Sequence, residues 1–192
     1  LWAWDPVETA VLVTWLFVTA AMHAISNFRH RGENRILAPA LATLTLPSAI
    51  FARVITQSGT STLHSFASGA STSLTGALLV TTALGVLLPV AVWLRGGDEA
   101  ADSEGAPLLS HGRLLYAAVL VVGLLAFVTF WGVVFPLVQG VVGGPEISVE
   151  ADFYNLWTYP LVIVVLLAIG LYNDHDLRGR RSLRLLAAVV LL

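Results

Sequence analysis

The segment from Leu114 to Val138, LLYAAVLVVGLLAFVTFWGVVFPLV, decides the fold class of this 192-residue chain because it contains no charged side chain. A helix needs about 20 consecutive apolar residues to cross a bilayer. Four other apolar segments reach a comparable length: Val7 to Ile25, Ile36 to Ile55, Leu74 to Leu94, and Leu156 to Tyr172. None of the five shows the alternation of barrel strands, so we predict an all-α, polytopic transmembrane helical bundle.

A sixth apolar run begins near Leu183 and stops at Leu192, the last residue of the chain. This run is too short to span a bilayer. We therefore predict five complete helices plus a truncated sixth. They form a single transmembrane domain over residues 1–192, which we interpret as a fragment of a longer protein.

Composition excludes several classes of function. The chain is 57% hydrophobic and 11% charged, whereas soluble domains are roughly 45 to 50% apolar. A net charge of -2 and the absence of a basic cluster argue against nucleic acid as a partner. The chain has no cysteine, so redox chemistry would belong to a cofactor or a partner. Hydrolases and nucleotide-driven enzymes are not supported, since there is no glycine-rich phosphate loop and no HExxH motif.

The arginines indicate the orientation in the membrane. Nine of the ten basic residues, all arginine, lie in three connections, Phe28 to Arg35, Arg95 to Arg113 and Asn173 to Arg184. Basic residues favour the cytoplasmic side of a membrane. We therefore predict a multi-pass protein of the cytoplasmic membrane, with Leu1 and the loop that carries His64 on the external face.

The first apolar segment is preceded by two tryptophans and a helix-start signal. Asp5 is suited to be the N-cap, Pro6 to occupy the first helical position, and Glu8 to complete a capping box. Trp2 and Trp4 are either interfacial aromatics or, in an extended segment, an aromatic shelf that could hold a flat macrocycle.

His23 lies within the first apolar segment, about 24 Å beyond Val7 along a helix. An ionisable residue inside a membrane is a functional candidate, here an axial ligand of a haem buried between helices. The alternative is a neutral imidazole that is hydrogen-bonded to a neighbouring helix or is close enough to the interface to be hydrated.

His64 and Arg53 are the other candidates from the residues themselves. His64 lies in an uncharged loop, residues 57–69, whose small residues would let a bulky ligand approach the backbone, although such a histidine can also simply be solvated. Arg53, near the outer end of the second segment, would either extend to the interface or meet an anionic group such as a haem propionate.

The stretch from Trp2 to Ala10, WAWDPVETA, resembles the second half of the W-x-W-D-P-x-E signature, called WWD, of the proteins that handle haem during cytochrome c assembly. The run from Thr19 to His23 is similar to the segment of CcmF-type proteins that carries a transmembrane haem ligand. The loop from Ser58 to Ala67 resembles their external S-G…H-A-F-A motif. The later pattern Phe135-Pro136-Leu137, Ile147-Ser148-Val149 and Phe153-Tyr154-Asn155 is also similar to CcmF.

Three departures from the family pattern affect individual residues. Gln57 stands where the family usually has an arginine before Ser-Gly, and the spacing from glycine to histidine is one residue shorter. Arg53 lies about one helical turn earlier and is the candidate to replace that arginine. Thr9 replaces the usual asparagine.

The resemblance implies two haem b sites. The external haem would lie against Trp2 and Trp4 with His64 as an axial ligand, and the membrane haem would be bound by His23. Asp5 and Arg53 complete the implied cofactor-binding set, and the second histidine ligand of each haem would lie outside this chain.

The implied function is that of the membrane subunit of a cytochrome c haem lyase, part of a holocytochrome c synthase complex. It would present haem for thioether attachment to apocytochrome c. Its other partners would be a haem chaperone, a thiol-reducing subunit and membrane lipid. Two alternatives remain open: a haem transporter or chaperone partner of the CcmC or CcsA type without ligase activity, and a solute transporter in which both histidines are structural.

Overall fold

The computed structural model describes residues 4–57, 72–95, 111–145 and 147–173. These ranges contain five helices and no strand: α1 Pro6–Arg31, α2 Leu37–Gln57, α3 Thr72–Leu94, α4 His111–Val141 and α5 Ala151–Asn173. Each helix is long and apolar enough to cross a membrane. The predicted multi-pass helical bundle is confirmed, while the sixth run from Leu183 lies outside the described residues.

The helices extend beyond the apolar segments from which they were predicted. α1 continues six residues past Ile25 and ends where Gly32 adopts a left-handed conformation with φ of 73°. The Gly32 N–H then donates to the carbonyl of Phe28 at 2.9 Å. Hydropathy marks only the part of a helix that lies in hydrocarbon, whereas the helix itself continues until a backbone signal ends it.

The described helices lie side by side in the order α3, α2, α1, α4, α5. The bundle has two ends. The Asp5 end holds the first residues of α1, α3 and α5 together with the last residues of α2 and α4, and the Arg31 end holds the opposite termini. Because α1 packs against both α2 and α4, it is the central helix of the row.

Small residues form the buried face of α1. Its buried positions recur every three or four residues and are Thr9, Ala10, Val13, Leu16, Ala20, Ala21, Ala24 and Asn27. Alanine lets neighbouring helices approach closely. Close packing is important in lipid because an apolar side chain gains little free energy by moving from lipid to the protein interior. Around Ala20, Ala21 and Ala24, the helices α1, α2 and α4 meet in one buried cluster with Leu41 and Val119.

A carboxylate holds α1 and α4 together at the Arg31 end. Asn27 is 2% exposed and donates from Nδ2 to Glu33 Oε2 at 2.9 Å. The same carboxylate occupies the space beside Gly112, in the first turn of α4. A negative charge is favourable at this position, since the N-terminus of a helix carries a partial positive charge.

The contact between α2 and α3 depends on Gly85. Pro47 has no N–H, so the Thr43 carbonyl lacks its usual partner within α2. The Thr43 hydroxyl lies 3.0 Å from the Gly85 carbonyl oxygen and is similarly close to the carbonyls of Pro39 and Ala40 in its own helix. A Cβ on Gly85 would lie 3.0 Å from the Thr43 carbonyl oxygen. The missing side chain of Gly85 therefore allows α3 to approach the backbone of α2.

We predict that Gly85→Leu lowers the midpoint of thermal unfolding in detergent because the new side chain pushes α3 away from α2. Gly76→Leu is the matched control, since it lies on the same helix and a Cβ there meets nothing within 4 Å among the described residues. Both variants gain the same helix propensity, about 1 kcal/mol. Equal midpoints for the two variants would contradict the close contact at Gly85.

Candidate functional site

The start of α1 is built as the sequence predicts. Asp5 is the N-cap and accepts a hydrogen bond from the Val7 N–H at 2.9 Å through Oδ1, with Pro6 at the first helical position. Glu8 lies in the first turn, where an acidic side chain is favoured. The Asp5 N-cap and the position of Pro6 are confirmed, while the capping box through Glu8 and a contact of Asp5 with a cofactor stay predictions.

Trp4 is fixed by α5 rather than held in an extended strand. Its φ of 56° lies in the left-handed region, so the extended backbone assumed for an aromatic shelf is not observed at this residue. The Trp4 indole stacks on the Tyr154 ring, with centroids 4.6 Å apart and planes 6° apart. Its Nε1–H donates to Asn155 Oδ1 at 3.1 Å. Trp2 lies outside the described residues.

Tyr154 is itself enclosed by α4 and by its neighbour in the chain. It is 2% exposed, and the Phe153 ring meets it edge-on at a centroid distance of 5.4 Å. A Cβ on Gly132 would lie 2.5 Å from the Tyr154 ring. Because residue 132 is glycine, the Tyr154 ring fits against α4 in the position where it stacks on Trp4.

His23 lies toward the Arg31 end of α1 and lines a cavity of about 570 Å³ between α1, α4 and α5. This volume falls within the roughly 300 to 1,000 Å³ that is typical of small-molecule sites. The walls are mainly aliphatic and include Leu16, Ala20, Leu115, Val119, Val122, Leu125, Val162, Leu166 and Ile169. The polar side chains Tyr172 and Asn173 line the cavity near the end of α5, so an apolar pocket has a polar margin on the Arg31 side.

The hydrogen bond of His23 determines which ring nitrogen can bind a metal. His23 Nδ1 lies 2.9 Å from the Thr19 carbonyl oxygen, four residues earlier in the same helix. A carbonyl only accepts, so Nδ1 carries the proton and the neutral ring has its lone pair on Nε2. A backbone carbonyl that orients the ring in this way is common for metal-binding histidines. The observed partner is in α1 itself, not in a neighbouring helix.

Of the two remaining candidates, Arg53 lies within the described residues and His64 lies outside them. Arg53 is exposed on α2 near the Asp5 end, one turn before Gln57. His64 and its loop lie outside the described ranges, so their predicted roles stay predictions. Residues 4–57, 72–95, 111–145 and 147–173 contain no group of three or more His, Asp or Glu side chains arranged to hold a metal ion. A single axial histidine is enough to hold one side of a haem iron, so a haem site would need no such group.

The two candidate regions lie at opposite ends of α1. Eighteen residues separate Asp5 from His23, which corresponds to about 27 Å along the helix axis. At the Asp5 end, Trp4 contacts Tyr154 and Asn155. Toward the Arg31 end, His23 lines the cavity. The partners of Trp4 were missed from the sequence because Asn155 is 151 positions away.

We predict that Asp5→Ala lowers the free energy of unfolding by about 1 kcal/mol, the usual cost of losing an N-cap. Asp5→Asn retains an oxygen that can accept from Val7 and should remain close to wild type. Denaturant titration in mixed micelles measures both. A loss in Asp5→Asn as large as that in Asp5→Ala would show that the charge of Asp5, and not its cap, is what the fold requires.

Relatives of the chain are found among cytochrome c-type biogenesis proteins. The probable cytochrome c-type biogenesis protein NrfE of Escherichia coli is 31% identical over 174 residues, 88% of this chain and 31% of that protein. CycK of Bradyrhizobium diazoefficiens is 31% identical over 198 residues, covering 98% of this chain and 29% of the relative. CcmF of Pseudomonas fluorescens is 28% identical over 172 residues, 88% of this chain and 26% of the relative.

No protein-family model and no solved structure matches the chain. The chain spans less than a third of the length of these three relatives. The similarity nevertheless covers most of the chain and agrees with the motifs at its start. The chain is therefore a homologue of the CcmF-type cytochrome c biogenesis proteins.

Proposed function

We propose that this chain takes part in cytochrome c maturation as a haem-holding region of a multi-pass membrane protein. One observation carries the proposal: His23, with its Nε2 lone pair available, lines an apolar cavity of about 570 Å³. The names of the relatives indicate the cytochrome c maturation pathway. The cavity and His23 are the features that suit haem binding.

The residues around His23 fit a haem. The aliphatic walls suit the faces of a flat apolar macrocycle, and the polar margin at Tyr172 and Asn173 suits its charged propionates. His23 would bind the iron through Nε2 while the Thr19 carbonyl holds the ring in that tautomer. Haem held there would supply a one-electron redox couple, through which an electron from a reduced membrane-soluble donor could pass to a second, external haem.

The Asp5 end is proposed to present haem as a substrate. Trp2 and Trp4 would contact the macrocycle, His64 would be an axial ligand, and Arg53 would meet a propionate. Haem held there offers vinyl groups to which the thiols of an apocytochrome c add. The protein's own contribution is to hold and orient the two reactants, as a membrane subunit of a cytochrome c haem lyase. The proposed partners are apocytochrome c, a haem chaperone and a thiol-reducing subunit.

The distribution of charge supports the orientation of these sites. Five of the six described arginines lie at the Arg31 end: Arg29, Arg31, Arg35, Arg95 and Arg113. By the positive-inside rule, the Arg31 end is cytoplasmic and the Asp5 end is external in a cytoplasmic membrane. The His23 haem would then lie near the inner face, about 27 Å of helix away from Asp5. His23 thus has no direct part in attachment at the external face.

A solute transporter with structural histidines is less well supported. A histidine that joined two helices would bond to a neighbouring helix, whereas His23 is exposed and bonds to the carbonyl of Thr19 in its own helix. The haem content of the purified protein distinguishes a haem ligand from a hydrated structural histidine. A haem transporter without ligase activity shares the His23 site and differs only in what happens at the Asp5 end.

We predict that His23→Ala removes one haem from the purified full-length parent, as measured by pyridine haemochrome and by reduced-minus-oxidised visible spectra. His30→Ala is the control, because it removes a histidine of the same helix that does not line the cavity. Adding imidazole to a His23→Gly variant should restore the haem spectrum, since imidazole replaces the missing ligand. Wild-type protein without stoichiometric haem, when haem is supplied, would refute the cofactor assignment and favour a transporter.

A second pair of variants tests the cavity without changing the ligand. Ala118 lines the cavity, whereas Ala117 is exposed and does not line it. Ala118→Phe should fill the space and lower haem content at the His23 site, and Ala117→Phe should leave haem content as in wild type. If both variants retain full haem, the cavity is not the binding site.

Thioether formation distinguishes the lyase from a haem transporter, and His64→Ala tests the external site on which it would depend. We expect this variant to perturb only the external haem and to stop thioether formation, read as covalent haem on a co-expressed apocytochrome c, while the His23 haem spectrum persists. Wild-type protein that holds both haems but supports no attachment when the other maturation proteins are present would favour the transporter.

A further inference from the structure

We propose that Tyr154 and Asn155, in the first turn of α5, are positioning residues that set the orientation of the Trp4 indole and thereby of haem at the Asp5 end. This inference rests on the proposed function, because it assumes that Trp4 contacts haem. The role assigned to α5 follows from contacts within the described residues.

Two contacts of different kinds fix the indole. The parallel stack on Tyr154, at 4.6 Å and 6°, fixes the plane of the ring. The hydrogen bond from Nε1 to Asn155 Oδ1, at 3.1 Å, fixes its rotation within that plane. Neither contact alone would define the orientation, whereas the two together leave the indole little freedom.

Tyr154 is in turn held by close contacts with α4 and with Phe153. The tyrosine ring is 2% exposed and rests where the side chain of residue 132 would be if that residue were not glycine. Phe153 meets the ring edge-on. The position of Trp4 is therefore tied through Tyr154 to the backbone of α4, which packs on α1.

The backbone of Trp4 shows that this arrangement is imposed by tertiary contacts. A φ of 56° is unfavourable for a residue with a bulky side chain. Such a conformation persists only when the surrounding structure enforces it, and it is concentrated at functional sites. Here the Asp5 cap holds the chain on one side of the strained residue, and α5 holds its side chain.

The stack also restricts where a ligand can bind. Tyr154 covers one face of the indole, so a flat macrocycle can meet only the opposite face or the edge. Helix α5 thus selects the side of Trp4 on which haem is presented. The contact of Trp4 with haem would therefore depend on Tyr154 and Asn155, some 150 positions later in the chain.

The test uses the full-length parent with both haems. Asn155→Leu removes the hydrogen-bond acceptor at similar size. We expect external haem to bind about tenfold more weakly, a change of about 1.4 kcal/mol, because the free indole must then be ordered when haem binds. Asn155→Asp keeps an acceptor and should restore most of the binding. Tyr154→Leu should resemble Asn155→Leu, and Tyr154→Phe, which keeps the stacked ring, should bind haem more tightly than Tyr154→Leu.

The His23 haem serves as an internal control for folding in every variant. It lies at the other end of α1, so its spectrum and stoichiometry should not change. Gly132→Ala should displace the Tyr154 ring and weaken external haem, whereas Gly140→Ala, on the same helix with nothing within 4 Å of its Cβ among the described residues, should not.

A ligand-free measurement accompanies the haem titration. In protein labelled with 5-fluorotryptophan, the ¹⁹F resonance assigned through Trp4→Phe should shift in Asn155→Leu and remain near its wild-type position in Asn155→Asp. An unshifted resonance, or a shifted resonance with unchanged external haem affinity and attachment, would overturn the positioning role alone. Wild-type protein that binds no external haem would overturn the proposed function and this inference together.

Discussion

Helix α1 packs its row of small residues against α2 and α4, and the rest of the described structure is arranged around that contact. In hydrocarbon, the gain from association comes from close packing and from hydrogen bonds between helices. Ala10, Ala20 and Ala24 allow that packing. The Thr14 hydroxyl adds a bond to the Ser48 carbonyl of α2 at 2.9 Å. Because α1 is central, both of its ends meet other helices, and both candidate regions lie at those ends.

The two ends of α1 differ in chemistry because they differ in what packs against them. At the Asp5 end, α5 contributes aromatic and amide side chains that contact Trp4. At the Arg31 end, α1, α4 and α5 surround a cavity with aliphatic walls, which His23 also lines. Glu33 links Asn27 to the first turn of α4 below that cavity, so α1 and α4 stay joined at the end where the cavity lies.

The sequence predicted the five spans because the need to satisfy every backbone polar group in lipid leaves few alternatives to apolar helices. It did not predict where α1 ends, since Arg29 and Arg31 continue the helix outside the apolar segment. The cap at Asp5 is a local feature and was predicted. His23 was identified by its position inside an apolar helix, but its tautomer depends on a contact with Thr19 that requires coordinates. The support of Trp4 by Tyr154 and Asn155 could not be predicted, because one chain gives no signal for a contact across 151 positions.

Electron cryo-microscopy of the full-length protein, purified with haem, would show directly whether haem occupies the His23 cavity. We predict a haem in the cavity between α1, α4 and α5, with its iron bound by Nε2 of His23 and with Nδ1 still donating to the Thr19 carbonyl. A cavity filled by lipid or by protein side chains, with His23 Nε2 hydrogen-bonded to another group, would contradict this prediction.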